Sequence, residues 1–323
     1  MSKKLVIIDT DCGLDDSLAI LLATYCHQQN MIDILAITCT HGNTSCQNVV
    51  KNVGLTLRAS GLLEGIKIYK GCDGPIIGKY LPADHCGADG LGDATKDMPP
   101  IVVQLEKEHA VNALVRLANE YRKQITLIAL GPLTNIGLAY LMDNQFYDNL
   151  KGIVFLGGTV DFRALTNMSP TQEYNIICDP EACHIMLTNA NNCPITIVPV
   201  ECSMDTLITW EMYEKIINIG SEKSNFIKTI YKMDYNRDKS DPIYKGIISP
   251  DILAIIAFVY KDLVIDKQSY RTTIELNGQL SRGQLVLDKR SGFRFESPDW
   301  PLVTFIKQID NDKFDQLLLK FIA

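Results

Sequence analysis

The sequence predicts an α/β fold: a Rossmann-like, mostly parallel central sheet flanked by helices, with a helical C-terminal part. Three observations predict it. Short β-branched apolar runs recur through Val200, segments of helical spacing separate them, and 46% of the 323 residues are hydrophobic, enough for a large buried core. No internal repeat, low-complexity tract or Pro/Gly-rich linker marks a boundary, so residues 1–323 are expected to form a single domain.

The apolar runs predicted as strands are Leu5–Ile8, Ile32–Thr40, Ile66–Lys70, Ile125–Leu130, Ile153–Leu156 and Ile195–Val200. Between them, Asp16–His27, Ser45–Ser60, Val111–Arg122, Leu133–Met142 and Pro180–Thr188 have apolar residues at helical intervals. Strands alternating with helices imply a parallel sheet covered on both faces. Ligands of such sheets bind beyond the carboxyl ends of the strands, which places 9–16, 40–43, 130–135 and 157–175 on one rim. After Leu207 the pattern turns helical, with Trp210–Ile219, Asn225–Tyr235 and Ile252–Tyr260. The polar stretch Asn236–Lys245, carrying Pro242, is expected to form a flap over the site. Strands at Arg271–Leu276 and Gly283–Asp288 and a last helix from Lys313 complete the chain.

A net charge of −7 without a dense Lys/Arg run argues against a nucleic-acid partner. Ten cysteines without a Cys-x-x-Cys pair fit neither a zinc ribbon nor a small disulfide scaffold, so free thiols are expected. No segment is long and apolar enough to span a membrane, and the start lacks a signal-peptide pattern. The expectation is a cytoplasmic protein without membrane or nucleic-acid partners.

The chemistry concentrates at Asp9-Thr10-Asp11-Cys12-Gly13-Leu14-Asp15-Asp16, where four carboxylates occupy one strand-to-helix turn. Asp15 and Asp16 suit a helix start, yet capping needs one acid and not four. Crowded carboxylates repel, and some would stay protonated near neutral pH unless a cation compensated them, so the turn reads as a hard-metal site. Asp-x-Asp after a strand also opens phosphotransferases that form an aspartyl-phosphate, but the Gly13-x-Asp15-Asp16 continuation fits those poorly.

The full string resembles the opening signature of the inosine-uridine-preferring nucleoside hydrolase family. Further stretches are similar to that family's motifs in the same order: Gly42-Asn43, Gly87-Ala88-Asp89-Gly90-Leu91-Gly92-Asp93, and Leu130-Gly131-Pro132-Leu133-Thr134-Asn135. Asn167, Glu173-Tyr174-Asn175, Asp179-Pro180-Glu181-Ala182 and a late Asp251 opening an apolar helix follow. The resemblance implies Ca²⁺-dependent hydrolysis of the N-glycosidic bond of ribonucleosides. It places the ion on Asp11, Asp16, Asp251 and the main-chain carbonyl of Leu130, and makes Asp11 the base that takes a proton from water. Asp15, Asn43, Asn167, Glu173, Asn175 and Asp251 would contact the substrate. The nucleoside is the expected partner, and self-association into a homodimer or homotetramer is implied as well.

The chain departs from the family at Pro250, where members carry His to protonate the leaving base or Trp to stack on it. Tyr235, Arg237, Asp241 and Tyr244 of the expected flap are candidates to supply that function. Cys86 stands in register with a family His, with His85 one residue earlier. Because of Pro250, a non-catalytic nucleoside- or ribose-binding protein of the same fold is the alternative reading, with a Mg²⁺ phosphotransferase behind it.

Overall fold

The computed structural model describes residues 3–83, 85–162, 169–290 and 299–323. The chain begins with β1 (Lys4–Thr10), α1 (Leu14–Gln28), β2 (Ile32–Cys39), α2 (Cys46–Ala59) and β3 (Ile68–Lys70). It continues through α3 (Ala110–Glu120), β4 (Ile125–Ala129), α4 (Thr134–Met142), α5 (Phe146–Asn149) and β5 (Gly152–Leu156). Next come α6 (Tyr174–Cys178), α7 (Pro180–Asn189), β6 (Ile195–Val198) and α8 (Val200–Met204). A hairpin-like pair, β7 (Ile208–Thr209) and β8 (Gly246–Ile247), brackets α9 (Trp210–Ile217), α10 (Glu222–Ile230) and α11 (Lys232–Asp238). The chain closes with α12 (Asp251–Val259), β9 (Val264–Ile274), β10 (Leu285–Asp288), β11 (Leu302–Ile309) and α13 (Asn311–Ile322).

Nine strands make one sheet in the order β10-β9-β11-β6-β5-β4-β1-β2-β3. From β6 to β3 every pairing is parallel, and the order 3-2-1-4-5-6 is that of a doubly wound fold. Its switch point lies between β1 and β4, where one half of the chain winds away to β2 and the other to β5. A crevice opens there because the crossovers on the two sides leave on opposite faces. Ile8 pairs with Ile37 on one flank and Ile128 on the other, so the carboxyl ends of the central strands are aligned and Asp9, Thr38 and Ala129 share a level.

Alternation along β1 sends Val6 and Ile8 into one core layer and Ile7 into the other. The first layer is closed by α1, α2, α12 and α13; the second by α3, α4 and α7. Leu18–Ala23 of α1 and Ile252–Ile256 of α12 are buried throughout, as expected of helices apolar on every face. Each such Leu or Ile contributes about 1.5–3 kcal/mol of burial free energy, so these two helices hold the acidic turn rigidly against the sheet. Helix starts follow the sequence: Ser45 accepts from Asn48 N at 3.3 Å, and Asp179 accepts from Ala182 N at 3.0 Å with Pro180 at the first position.

Differences from the sequence reading concentrate late in the chain. Beside the two late strands that were expected, found as β9 and β10, the C-terminal part holds a third, β11, and the three extend the sheet with β9 antiparallel to both neighbours. β11, with its mixed burial, carries too weak an alternation to be recognised locally, and β9 starts seven residues before Arg271, at Val264. The helix expected over Asn225–Tyr235 breaks at Tyr231 into α10 and α11. Val200 opens α8 instead of ending β6. Among the described residues no helix is long and apolar enough to cross a membrane, and none of the ten cysteines is in a disulfide.

Candidate active site

β1 delivers its last residues to the switch point, and the turn into α1 is held by its own side chains. Thr10 Oγ1 donates to Asp16 Oδ1 at 2.5 Å and accepts from Cys12 N at 3.0 Å, while Gly13 N donates to Asp16 Oδ2 at 2.9 Å. Asp9 points away from the rim. Its carboxylate accepts from Thr38 Oγ1 at 3.0 Å and from Asn135 Nδ2 at 2.9 Å, a supporting role at the strand ends. Asp11 is enclosed by two glycines: a Cβ on Gly42 would lie 2.0 Å from its Oδ2, and one on Gly131 would lie 2.6 Å from its Oδ1. No residue with a side chain fits either place.

The second strand's turn supplies Asn43, whose backbone N donates to Asp11 Oδ2 at 2.8 Å and whose Nδ2 donates to Asp16 Oδ2 at 3.1 Å. Leu130 follows β4 and lines the cavity; its carbonyl accepts from Asn175 Nδ2 at 2.7 Å. Asn175 belongs to the first turn of α6, not to a strand edge as its surroundings suggested, and it also reaches Leu156 O at 3.1 Å. Glu173 is not a solvated acid: it caps α6 and accepts from Gly158 N, Asn175 N and Ile176 N at 2.8, 2.8 and 3.2 Å. A carboxylate has about four acceptor positions, so one remains for a ligand. Asp251 opens α12 across the crevice, and Asn167 lies outside the described residues.

Carboxylate oxygens of Asp15, Asp16 and Asp251 lie within 4.8 Å of one another. Asp15 and Asp251 face the cavity, whereas Asp11 and Asp16 sit directly behind, fully buried. Burial, then the charge of Asp16, pushes Asp11 well above the usual carboxylate range. Burial likewise raises Asp15 to about 6, and burial with the neighbouring Asp15 raises Asp16 to about 7. Asp251 is pushed well up by burial and then by Asp15, Asp16 and Asp11. Oδ1 of Asp11 and Oδ1 of Asp251 are buried without a hydrogen-bond partner, which strands two carboxyl oxygens. An all-oxygen donor set with unsatisfied carboxylates fits a hard divalent cation.

The cavity above these acids has a volume of about 390 Å³. It is lined by Asp15, Asn43, Glu173, Asn175 and Asp251, and by Trp210, Tyr231, Asp234, Arg237, Asp238 and Tyr244 from the segment between β7 and β8. Of the residues expected in a flap, Arg237 and Tyr244 reach the cavity. Tyr235 packs against Trp210 and Tyr213 and donates to Glu214 at 2.7 Å, and Asp241 accepts from Ile243 N at 3.0 Å within a turn. Cys86 contacts Asn43 Oδ1 through its thiol at 3.5 Å, and His85 lines the cavity beside it. Sequence reasoning missed Trp210, Tyr231, Asp234 and Asp238. They follow no recognisable spacing, although a tryptophan opening a helix close to two charged turns was an available hint. Cys12 is buried, with its Sγ 3.8 Å from Ser17 Oγ, in keeping with a packing role.

A doubly wound sheet with an acid-lined pocket at its switch point is the arrangement of an α/β protein that binds a small ligand beyond its strand ends. A family model described as inosine-uridine preferring nucleoside hydrolase matches residues 6–316. The chain belongs to that family, and with it to the N-glycosyl hydrolases of ribonucleosides. It is 31% identical to the inosine-uridine preferring nucleoside hydrolase of Leishmania major, over 97% of this chain and 95% of that one. It is also 34% identical to uridine nucleosidase 1 of Arabidopsis thaliana, over 88% and 82%. Among solved structures, an inosine-guanosine nucleoside hydrolase superposes with a TM-score of 0.85 at 27% identity, covering 98% of each chain. A plant nucleoside hydrolase superposes with a TM-score of 0.87 at 26% identity, covering 99% and 98%.

Proposed function

We propose that the protein hydrolyses the N-glycosidic bond of ribonucleosides to ribose and free base with a divalent cation, Ca²⁺, as its cofactor. The observation that carries this reading is the cluster of Asp15, Asp16 and Asp251 at the cavity, with one buried oxygen of Asp251 and one of the neighbouring Asp11 unpartnered. Asp11, Asp16, Asp251 and the Leu130 carbonyl would hold the ion. When bound, it offsets the repulsion among the acids and acts as a Lewis acid toward water and vicinal hydroxyls.

The chain's own groups divide the remaining work. Asp11, whose Oδ2 is held by Asn43 N, keeps Oδ1 available to accept the proton of the attacking water, and burial strengthens it as a base for that step once the surrounding charge is balanced. Asp15, Asn43, Asn167, Glu173, Asn175 and Asp251 would bind the sugar hydroxyls. Glu173 and Asn175 are positioned by backbone hydrogen bonds, which fixes their geometry before the substrate arrives. Positive charge builds on the sugar as the base departs, and these acids stabilise it. Family membership sets the phosphotransferase reading aside.

Incubation with inosine, uridine, adenosine, guanosine and cytidine, with and without calcium, and detection of reducing sugar tests the proposal. Release from at least one nucleoside, abolished by chelation, is expected. Tight calorimetric binding of nucleosides with no release at high enzyme concentration would replace it with the non-catalytic reading.

A further inference from the structure

The peptide between Gly42 and Asn43 is gripped at both ends. Its N–H donates to Asp11 Oδ2 at 2.8 Å. Its carbonyl oxygen, on Gly42, faces two phenols: the hydroxyl of Tyr174 lies 2.6 Å away and that of Tyr80 3.1 Å away. Tyr174 belongs to the first turn of α6, between Glu173 and Asn175, and its hydroxyl also reaches Leu81 O at 2.7 Å. Tyr80 comes from the loop after β3, where its ring stands edge-on to the buried His41 with centroids 5.7 Å apart. Burial pushes both phenols above their ordinary range, so both remain protonated donors. Each phenol has one proton to give, and the pair together serves Gly42 O and Leu81 O.

This arrangement bears on how Asp11 is held. The peptide is trans, and a planar trans unit points its C=O and its N–H in opposite directions. Fixing the Gly42 oxygen therefore aims the Asn43 N–H at Asp11. Donation to the carbonyl also polarises the peptide, which strengthens the bond its N–H makes, because hydrogen bonds in series reinforce one another where water is excluded. Asp11 Oδ2 is thereby kept in place, and Oδ1, which has no partner, stays free for the proton of the attacking water.

We propose that Tyr80 and Tyr174 are positioning residues for the hydrolytic step, acting through the Gly42–Asn43 peptide on the Asp11 carboxylate. The inference rests on Asp11 being the base, as in the function proposed above. Such a role belongs to kcat. The phenol oxygens are engaged with backbone, so removing them leaves the sugar-binding groups in place, and phenylalanine keeps the Tyr174 ring that lines the cavity. Its test is the steady-state kinetics of Tyr80→Phe, Tyr174→Phe and the double variant on the nucleoside that the wild type cleaves fastest of the five, with a melting curve for each. A single variant has one phenol left for two carbonyls and is expected to lose about threefold in kcat. The double variant leaves Gly42 O without a phenol donor and is expected to lose about tenfold, the effect of about one buried hydrogen bond. KM should stay within about twofold throughout. A double variant that keeps kcat within about threefold of the wild type, or that loses activity through KM, overturns the inference and leaves the hydrolase reading intact. Where the melting curve shows the double variant unfolded, single variants with wild-type kcat overturn it. Wild-type protein that releases reducing sugar from no nucleoside overturns the hydrolase reading, and this inference with it.

Discussion

Asp11 is held on one oxygen by Asn43 N and is left open on the other, between two glycines that no larger residue can replace. A group so confined has one productive orientation, so changing its chemistry without its shape is informative. Asp11→Asn should reduce kcat by about 10²–10⁴-fold, the usual contribution of a positioned base, while the fold persists. Steady-state kinetics together with a melting curve checks this, and retention of more than a tenth of the activity would remove Asp11 from the mechanism. At this scale much was legible. The acidic string stands out by its own chemistry, whereas Gly42-Asn43 and Asp251 were picked out through the family resemblance. The roles of Glu173 and Asn175 were less legible, because an N-cap and a carbonyl clasp depend on backbone that the residues do not themselves specify.

Asn135 shows what an element contributes. At the start of α4 it donates to the Asp9 carboxylate and to Cys39 O at 3.0 Å, and it accepts from Cys72 N at 3.0 Å. One amide therefore ties the ends of β1 and β2 and the loop after β3 to a helix beyond β4. Asn135→Ala would leave a buried carboxylate, a carbonyl and an N–H short of partners, at a cost of about 3 kcal/mol. The urea midpoint should drop accordingly; a change below about 0.5 kcal/mol would mean that water replaces the amide without loss. The motif containing Asn135 was readable as a strand-to-helix turn, but which strands it joins follows from sheet order. β11 illustrates the opposite case, an element without a local signal that exists because β6 and β9 leave a paired position between them.

The whole molecule stores unfavourable charge that a divalent cation or protons could relieve. In the folded, metal-free chain burial raises Asp9 to about 7, Asp15 to about 6 and Asp16 to about 7, against about 3.9 for an unfolded aspartate. A folded pKa above the unfolded one means that protonation favours the folded form. The resulting stability is fully present below about pH 4 and is lost as pH rises through 6 to 7. Metal-free protein should therefore melt at a lower temperature near pH 8 than near pH 5, and saturating calcium should flatten that slope by compensating the same carboxylates. Scanning calorimetry across pH, with and without the ion, decides it. An equal slope in both conditions would show that no ion is held at these acids.

The order of the six parallel strands with the longer helices between them, the acidic turn and the family of the protein were legible in the sequence alone, whereas the short α5 and α6 were not. The legible features rest on local periodicity and on contiguous motifs, both of which survive being read one segment at a time. The part of the cavity lined from the segment between β7 and β8 was decided only by the tertiary structure. Asp234, Asp238 and Trp210 are ordinary polar and aromatic residues until α9 and α11 fold over the crevice and bring them to the cavity that Asp15 and Asp251 also line. Electrostatic meaning there depends on distances between segments remote in the chain, and such distances are set by packing rather than by spacing.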